Sequence, residues 1–399
     1  MQKVWYAILA AIVACANDPP ITPPLDEMPA REVIALAMTP LYEVDTISGS
    51  LGGTVSIGRS IDSRGTVAGV SFVTNNAARE AVLWVKGELV RLGTLGGANS
   101  SVQWPGQNDN GMVVGISQTA VDDTLGETWS CSAFLAFTGK TCLGFVWENN
   151  VMRPLPTLGG DNGFATGVNN RGEVVGWAET RVVDPTCKAP IQILQFRAVL
   201  WDTKKGTHVE LPPLPGDSTS AATAINNRGQ VVGISGECDI AVGRFSALRA
   251  VMWENGTPTE LPNLGGQTWH TPMAMNDSGD VVGFSNPFGD INGSFIVHAF
   301  LWTKQGGIID LGTLPGDSTS QALGINSRRE VVGVSTSKAN RNRAFLWKDG
   351  VMYDLNKIAG AGFADSLVTA QHINEAGRIT GRLFQKGTGK AVPYLATPR

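Results

Sequence analysis

The sequence has few charged residues, few histidines and no long apolar segment. Charged residues make up 17% of the 399 residues, and the formal net charge is −4. A chain with this balance offers no basic stripe to a phosphate backbone, which argues against a nucleic-acid partner. No helical periodicity is sustained outside the extreme N-terminus, and the apolar run from Val4 to Ala14 is too short to cross a bilayer.

Linear catalytic motifs are absent as well. The chain contains no P-loop, no nucleophile elbow and no H-E-x-x-H motif. Enzymes built from repeats take single residues from several repeats and leave no such motif. An enzyme is therefore one of the alternatives that the sequence leaves open.

The first 14 residues have the features of an export signal. Lys3 precedes the apolar run, and Ile12-Val13-Ala14-Cys15 resembles the lipobox of bacterial lipoproteins, in which Cys15 becomes the lipidated first residue. Cleavage at Ala14-Cys15-Ala16 with release of a soluble product is the alternative. Residues 15–40 are rich in proline and predict an extended tether. We therefore expect an exported protein, either lipid-anchored at the outer membrane or cell surface, or free in the periplasm or medium.

Residues 41–399 contain one motif seven times: Asn or Asp, a glycine three residues on (replaced by Arg329 in the sixth copy), and a valine-rich segment that closes in a second glycine. The copies recur every 46 to 61 residues and begin at Asp62, Asn108, Asn169, Asn226, Asn276, Asn326 and Asn374. The 48 glycines supply frequent turns. The period is close to that of a propeller blade and far above that of a β-helix coil. The sequence therefore predicts an all-β fold.

Each repeat also carries an Ala-φ-φ-Trp segment, where φ is apolar, and a leucine segment. Six copies end in tryptophan and the seventh in tyrosine: Trp84, Trp147, Trp201, Trp253, Trp302, Trp347 and Tyr394. The chain starts with a leucine-type segment (42–47) and ends with a tryptophan-type segment (391–397), and the two complete one hairpin. Their pairing removes open sheet edges. The prediction is a seven-bladed β-propeller closed by pairing of the N- and C-terminal strands, with the Asn-type strand innermost in each blade.

The repeats resemble those of the HAF-repeat family of bacterial extracellular proteins. The resemblance rests on His298-Ala299-Phe300-Leu301-Trp302, Asp310-Leu311-Gly312-Thr313-Leu314, Ile325-Asn326 and Val331-Val332-Gly333. It covers nearly all of the mature chain and implies an exported repeat protein. The family is defined by its repeat, so the resemblance implies no particular activity.

The predicted topology places the loops between the Val-Val-Gly and tryptophan strands on the same side as the crossovers between repeats. We call this side the long-loop face, because these loops vary from about 9 to 28 residues whereas the opposite side has tight turns. It carries four cysteines: Cys131, Cys142, Cys187 and Cys238. The even count predicts disulfides, with Cys131–Cys142 and Cys187–Cys238 favoured among three pairings. A zinc site is the alternative, although C-x-x-C spacing is absent.

Five aromatic residues outside the repeat positions also fall on the long-loop face: Trp104, Trp129, Trp269, Phe164 and Phe363. Exposed rings there suit stacking on a glycan or anchoring a peptide or an envelope protein. These five are the candidate ligand-binding residues. Packing of the rings over the blade tops is the structural alternative.

Two of the four histidines break the repeat pattern. His270 lies beside Trp269 in a crossover, and His372 replaces a small residue at the predicted axis. Both are the candidate acid–base residues if the protein is an enzyme. Asp161, Asp217 and Asp317 follow glycine in crossovers and offer carboxylates to Ca²⁺, but the EF-hand pattern is absent. No cofactor is therefore predicted, with calcium as the alternative.

Three functions fit these observations. The leading hypothesis is a cell-envelope binding or scaffold protein that presents the long-loop face to a glycan, a peptide or a protein. The second is an extracellular lyase or hydrolase acting on the same face, and the third is a structural repeat protein without a ligand. A membrane is involved only through the N-terminal lipid anchor.

Replacing Cys15 by alanine tests the anchor. If the sulfur of Cys15 carries the lipid, we expect Cys15→Ala to leave the membrane fraction, because the body of the protein then has no covalent acyl chain. Fractionation followed by immunoblotting measures the shift. An unchanged membrane fraction of the variant would contradict the anchor at Cys15, and absence of the parent from the membrane fraction would favour release of a soluble product.

Overall fold

The computed structural model describes residues 42–239, 244–288, 295–360 and 363–399. The predicted signal peptide (1–14), the tether (15–40) and the predicted lipidation site Cys15 lie outside these residues. The described chain is all-β, as predicted. Its helical segments are short: Thr74–Asn76, Trp129–Ser132 and Leu355–Ile358.

The strands form seven antiparallel groups of four, one for each repeat. Repeat 1 contains β2 (Gly52–Ile61), β3 (Val67–Val73), β4 (Arg79–Val85) and β5 (Glu88–Gly93). Repeat 2 contains β6 (Gly96–Ser101), β7 (Val113–Asp122), β8 (Lys140–Glu148) and β9 (Val151–Pro154). Repeat 3 contains β10 (Gly159–Val168), β11 (Glu173–Val183), β12 (Leu194–Asp202) and β13 (Thr207–Leu211). Repeat 4 contains β14 (Thr219–Ile225), β15 (Val231–Gly236), β16 (Arg249–Glu254) and β17 (Thr257–Leu261).

The remaining repeats follow the same order. Repeat 5 contains β18 (Thr271–Met275), β19 (Val281–Ser285), β20 (His298–Thr303) and β21 (Gly307–Gly312). Repeat 6 contains β22 (Asp317–Ile325), β23 (Val331–Ser337), β24 (Asn342–Lys348) and β25 (Val351–Asp354). Repeat 7 contains β26 (Ser366–Ile373), β27 (Ile379–Gln385), β28 (Lys390–Pro398) and, from the other end of the chain, β1 (Tyr42–Thr46).

The terminal strands pair as the sequence predicts. β1 runs antiparallel to β28, from Tyr42 opposite Pro398 to Thr46 opposite Tyr394. The fourth strand of repeat 7 therefore comes from the start of the chain. A single parallel pair between Val55 and Ala391 also joins repeat 1 to repeat 7, so these two repeats share one eight-stranded sheet.

The turn between the first and second strands depends on its asparagine. In repeat 4 the Oδ1 atom of Asn226 accepts hydrogen bonds from the backbone N–H groups of Arg228 and Gln230, at 3.1 and 3.0 Å. Its Nδ2 atom donates to the backbone oxygen of Asn276 in repeat 5, at 3.1 Å. The Asn226 side chain thus stabilises its own turn and links repeat 4 to repeat 5.

The same amide-to-carbonyl hydrogen bond recurs through the chain at 2.9 to 3.3 Å. It links six pairs: Asn108 to Asn169, Asn169 to Asn226, Asn226 to Asn276, Asn276 to Asn326, Asn326 to Asn374, and Asn374 to Asp62. Asp62 has no amide donor and instead forms an ion pair with Arg64 at 2.8 Å. Repeats 1 and 2 are joined at their turns by the N–H of Ser63, which donates to Oδ1 of Asp109 at 2.8 Å.

The glycine that closes each motif is required by close packing. In repeat 3 a Cβ atom on Gly176 would overlap the backbone oxygen of Phe164, and in repeat 7 a Cβ on Gly381 would overlap that of Thr369. The overlap occurs beside a β-bulge in the first strand, where the register shifts between Ala165 and Gly167 and between Ala370 and His372. Glycine therefore lets the second strand approach the bulged first strand.

Four of the six tryptophans of the third strands are buried in the core, whereas Trp302 and Trp347 are half-buried. Trp84, Trp201 and Trp253 are buried, and each indole N–H donates to a backbone oxygen at 2.7 to 3.0 Å. Tyr394 takes the same place in repeat 7, fully buried, with its hydroxyl donating to the oxygen of Thr369 at 3.1 Å. Pairing these polar groups makes the burial of large rings favourable.

Asn226→Asp tests the turn amide. The aspartate keeps both acceptor bonds within the turn but loses the N–H that reaches repeat 5, and its charge faces a carbonyl oxygen. We expect the free energy of unfolding, from urea titration, to fall by about 1–3 kcal/mol. Asn255→Asp is the control, because Asn255 is exposed in the hairpin of the same repeat. An equal loss in the two variants would contradict the role of the amide.

Candidate functional site

The long-loop face is braced by two disulfides with the favoured pairing. Cys131 is bonded to Cys142 within the loop of repeat 2, and Cys187 in the loop of repeat 3 is bonded to Cys238 in the loop of repeat 4. The second bond joins two neighbouring repeats. Disulfide sulfurs do not ligate zinc, so the zinc alternative is wrong for these cysteines. The two bonds indicate an oxidising, exported location.

Backbone hydrogen bonds reinforce the second disulfide. The N–H of Lys188 donates to the oxygen of Asp239 at 2.9 Å, and the N–H of Asp239 donates to the oxygen of Thr186 at 3.1 Å. The loops of repeats 3 and 4 are therefore fixed against each other by covalent and hydrogen-bonded contacts. A fixed surface loses less conformational entropy on binding a partner.

Two of the predicted ligand-binding rings lie in one aromatic cluster. Trp104 contacts Phe134 and Phe164 edge-on, with ring centroids 5.4 and 5.3 Å apart. Phe164 is fully buried, and its cluster continues to Trp177 and Phe196. The interpretation of Phe164 as an exposed stacking ring is therefore wrong, because the loop of repeat 2 places Phe134 over it. Trp104 is half-buried, and its indole Nε1 is buried without a hydrogen-bond partner in the described chain.

Of the other predicted rings, Trp269 packs against the same hydrophobic cluster, whereas Phe363 lies elsewhere. Trp269 is half-buried, has a left-handed backbone (φ 56°) and packs edge-on against Phe295, with centroids 5.0 Å apart. Phe363 is half-buried against the core of repeats 6 and 7. The side chain of Trp129 lies outside the described part of the protein. Three of the five predicted rings, Trp104, Phe164 and Trp269, thus pack against one hydrophobic cluster, and Phe363 packs against another.

The two candidate histidines occupy different places. His270 is buried against Phe300, its Nε2 donates to the oxygen of Pro262 at 2.9 Å, and burial lowers its pKa to about 4. His372 is half-buried, and its Nδ1 accepts from the N–H of Ile61 at 3.0 Å. Burial lowers the pKa of His372 to about 4 as well. Both imidazoles are neutral at pH 7, and His270 has no exposed nitrogen for a substrate.

His372 lines a central cavity of about 310 Å³. All seven repeats contribute to its wall through the last residues of their first strands and their Asn turns, such as Ile61, Gln107, Val168 and Ile325. A cavity of about 120 Å³ that shares several of these residues is also lined by Thr223 and Met273 within the first strands β14 and β18, and by Pro105, which follows β6. The first strands are therefore the innermost ones, as predicted.

Acidic side chains meet where the loops of repeats 2 and 3 touch. Oε1 of the buried Glu127 accepts from the N–H groups of Ile193 and Leu194, at 2.6 and 2.7 Å. Its Oε2 has no hydrogen-bond partner among the described residues. Burial raises the pKa of Glu127, and the neighbouring charges of Asp123 and Asp161 raise it further, against the lowering effect of those two N–H groups.

The predicted calcium ligands do not form a common site. Asp217 pairs with Arg249 and Asp317 pairs with Arg343, at 2.5 and 2.9 Å, so their charges are already neutralised. In the described residues, the only group of three metal-ligand side chains whose ligand atoms lie within 4.8 Å of one another is Asp184, Cys187 and Cys238, and both cysteines are in a disulfide. Calcium stays an untested alternative near Asp161.

Exposed apolar side chains concentrate on the long-loop face. Of the fifteen large apolar side chains that are exposed in the described residues, ten lie in the loops, or adjoining strand ends, of repeats 2 to 5. They are Val121, Leu125, Phe137, Val182, Val183, Ile191, Phe245, Phe288, Phe295 and Ile296. We call these ten the apolar loop surface. Its most exposed member, Phe288, is 90% accessible to solvent.

Sequence reasoning missed these side chains because each belongs to a loop without repeat counterparts. Phe134 packs on Trp104 and Phe164, and Phe295 packs on Trp269, but neither phenylalanine occurs at a position that repeats along the sequence. The residues of the apolar loop surface are visible in the sequence only as scattered valines and phenylalanines. A search for apolar residues inside the longest loops would have found most of them.

Comparisons with known proteins identify the fold. No protein-family model and no curated protein matches the chain. An acylaminoacyl peptidase from Pyrococcus horikoshii is similar in structure, with a TM-score of 0.51, 13% identity, and coverage of 88% of this chain and 54% of that chain. The present chain therefore spans about half of that peptidase.

Two further similar structures have TM-scores of 0.48. They are the β-propeller domain of the Trilobed protease from Pyrococcus furiosus (9% identity, covering 90% of this chain and 95% of that one) and an oligogalacturonate lyase from Vibrio parahaemolyticus (9% identity, covering 90% and 97%). At such identities similarity concerns the fold alone. One of the similar structures is thus a β-propeller domain.

Glu127→Gln tests the buried carboxylate. A carboxyl group whose pKa is raised on folding contributes stability that is complete below its unfolded pKa, near 4.3, and is lost as the pH rises through the folded pKa. Glutamine still accepts the two backbone N–H groups but has no charge. We expect the melting temperature of the variant, relative to the parent, to rise progressively from pH 4 to pH 8.

Calorimetry across this pH range measures the difference. Glu237→Gln removes an exposed carboxylate from the loop of repeat 4 and reports the effect of one surface charge. A difference between Glu127→Gln and the parent that stays constant or shrinks with rising pH would contradict the assignment.

Proposed function

We propose that the chain is an exported, seven-bladed β-propeller of the HAF-repeat kind that binds a protein partner through its long-loop face. Three observations support the closed seven-bladed arrangement. The central cavity is lined by all seven repeats, β1 completes the sheet of repeat 7, and turn hydrogen bonds run from repeat 2 through repeat 7 to repeat 1. The lipid anchor at Cys15 belongs to the same proposal.

We infer the binding function from the apolar loop surface. Soluble proteins rarely gather large apolar side chains on neighbouring loops unless another molecule covers them. Four consecutive repeats contribute to this surface, and the disulfides fix the loops of three of them. No helix in the described chain is long and apolar enough to serve as a membrane span.

The chemistry of this surface favours a protein segment over a glycan. Sugar rings are bound by open aromatic faces beside hydrogen-bonding groups. Here Trp104 is packed edge-on by Phe134 and Phe164, while the exposed groups are aliphatic side chains and phenylalanines. We therefore favour an envelope protein or peptide that presents an apolar segment, and the purely structural alternative leaves this surface unexplained.

The alternative of a lyase or hydrolase has less support. His270 is buried with a neutral ring, and His372 lies in the central cavity away from the apolar loop surface. Among the described residues, neither histidine is hydrogen-bonded to a carboxylate that would raise its basicity. The geometry provides no paired acid and base at these two positions.

Serine substitutions on the two sides of the protein test the proposal. Phe137→Ser combined with Phe288→Ser removes two rings from the apolar loop surface, so we expect capture of envelope protein by the tagged chain to fall by about fivefold or more. Val209→Ser combined with Ile309→Ser is the matched control. These two exposed residues lie on the fourth strands β13 and β21, outside the loops.

Quantitative mass spectrometry of cross-linked complexes measures the capture. Periodate treatment of the envelope extract, which destroys glycans, should leave the capture by the parent unchanged. Equal capture by both double variants would reject the apolar loop surface, and loss of capture after periodate would reject a protein partner in favour of a glycan.

A further inference from the structure

One polar side chain interrupts the apolar residues that surround the central cavity. The residue before the turn asparagine or aspartate is apolar in six repeats: Ile61, Val168, Ile225, Met275, Ile325 and Ile373. In repeat 2 it is Gln107, which is 8% exposed and lines both the cavity of about 310 Å³ and the one of about 120 Å³. Oε1 of Gln107 is buried, and neither polar atom of its side-chain amide has a hydrogen-bond partner in the described chain. Because burying an unpaired amide lowers stability, a bound ligand explains Gln107 better than packing does.

His372 is a second departure from the repeat and lines the same two cavities. The other six repeats have serine, glycine or alanine at its position. Nδ1 of His372 accepts from the N–H of Ile61, so the proton of the neutral ring is on Nε2. Nε2 has no hydrogen-bond partner among the described residues. The wall of the cavity thus contains an N–H donor from His372 and an amide group from Gln107.

Carboxylates line the mouth of the larger cavity, where the turns between the first and second strands lie. The residue after the turn asparagine or aspartate lines this cavity in six repeats, and in three of them it is an exposed acid: Asp109, Asp277 and Glu375. Among the described residues, no lysine or arginine lines the cavity, and none forms an ion pair with these three carboxylates. Arg64, in the turn of repeat 1, pairs with Asp62 at 2.8 Å. The mouth of the cavity therefore has a net negative charge.

The links between neighbouring turns do not require these charges. The N–H of Ser63 donates to Oδ1 of Asp109 at 2.8 Å, and the N–H of Asn227 donates to Oδ1 of Asp277 at 2.8 Å. Asparagine makes the same link elsewhere, because the N–H of Asp109 donates to Oδ1 of Asn170 at 2.9 Å and the N–H of Asn170 donates to Oδ1 of Asn227 at 2.8 Å. The oxygen is thus the structural requirement at this position, and the charge of Asp109 and Asp277 is additional to it.

The spacing of the three carboxylates favours an organic cation over a metal ion. In the described residues, only Asp184, Cys187 and Cys238 bring three metal-ligand atoms within 4.8 Å of one another. The carboxylates at the mouth of the cavity therefore do not converge on one metal ion. An alkylammonium group is larger than a metal ion and has several N–H donors, so it suits acceptors that are spread around a cavity.

We propose that the central cavity binds a small organic cation: an alkylammonium compound with a neutral amide or hydroxyl group at the other end of a short aliphatic chain. The ammonium group meets the carboxylates at the mouth, the chain lies against apolar residues such as Ile225 and Ile325, and the neutral group pairs with Gln107 and His372. The cavity volume of about 310 Å³ is within the range of small-molecule sites, about 300–1,000 Å³. None of the residues of the apolar loop surface lines this cavity, so the site does not depend on the partner proposed there.

Gln107→Ile separates a binding role from a structural one. Isoleucine is the residue of repeats 1, 4, 6 and 7 at this position. Because the substitution removes a buried amide without partners, we expect the melting temperature of the ligand-free protein to stay unchanged or to rise. Binding of the ligand should weaken at the same time, by about threefold or more, because a hydrogen-bonding group is lost. A structural role predicts instead a lower melting temperature.

Titration calorimetry with 6-aminohexanamide at low ionic strength tests the site in the full chain. We expect this probe to bind the parent with a Kd of about 1 mM or below and to raise its melting temperature. Hexanamide, which lacks the ammonium group, should bind at least about fivefold more weakly. Asp109→Asn combined with Asp277→Asn keeps an acceptor oxygen in each turn but removes two charges, so it should weaken binding of 6-aminohexanamide by about fivefold or more. The matched control is Asp45→Asn combined with Asp349→Asn, which removes two exposed aspartates outside the cavity and should bind as the parent does.

Four results would each overturn the proposal. The first is no binding of 6-aminohexanamide to the parent, and the second is equal weakening in the control double variant. The third is a lower melting temperature of ligand-free Gln107→Ile with binding retained. The fourth is displacement of the probe by calcium chloride that binds more tightly, which would identify a metal site instead of a site for an organic cation.

Discussion

The amide group of the turn asparagine carries an acceptor and a donor on the same carbon, and the structure uses both ends. The oxygen closes the tight turn between the first two strands, and the nitrogen reaches a carbonyl of the neighbouring repeat. One side chain thus stabilises both the turn within a repeat and the contact between neighbouring repeats. Because both bonds are buried, replacing the amide leaves either a turn N–H or a carbonyl unpaired. Placement of the seven first strands around one cavity follows from this constraint.

The fold was predictable because its signals are local and repeated. Gly233 has a counterpart in every repeat, Asn226 and Gly229 in all but one each (Asp62 in repeat 1, Arg329 in repeat 6), and the unmatched terminal segments pair as β1 and β28. The favoured cysteine pairing was also confirmed. The β-bulges were not predictable, since no residue type marks them: Arg59, Thr223 and Met273 occupy equivalent positions.

The candidate sites were predictable only in part. The long-loop face was recognised from loop length, but exposure there depends on how each loop folds back. Phe164 is fully covered because the loop of repeat 2 brings Phe134 onto it, and spacing carries no trace of that contact. The hydrogen bond from Arg59 to Gln371 needs repeat 7 beside repeat 1, which joins residues from opposite ends of the chain. Departures from the repeat, such as His372, were visible, but the partners that decide their chemistry were not.

The series of turn amides has a direction. Each amide donates toward the next repeat, from Asn108 to Asn374 and on to Asp62, whose carboxylate has no proton with which to continue the series. If all seven repeats carried the amide, each hydrogen bond in the closed series would polarise the next, and all seven bonds would be equivalent. Here the series has two ends, and both lie between repeats 1 and 2, so thermal separation of neighbouring repeats breaks the fewest amide links there. Arg79 donates to the backbone oxygen of Phe134 across the same boundary, so a side-chain hydrogen bond joins repeats 1 and 2 where the amide series is interrupted.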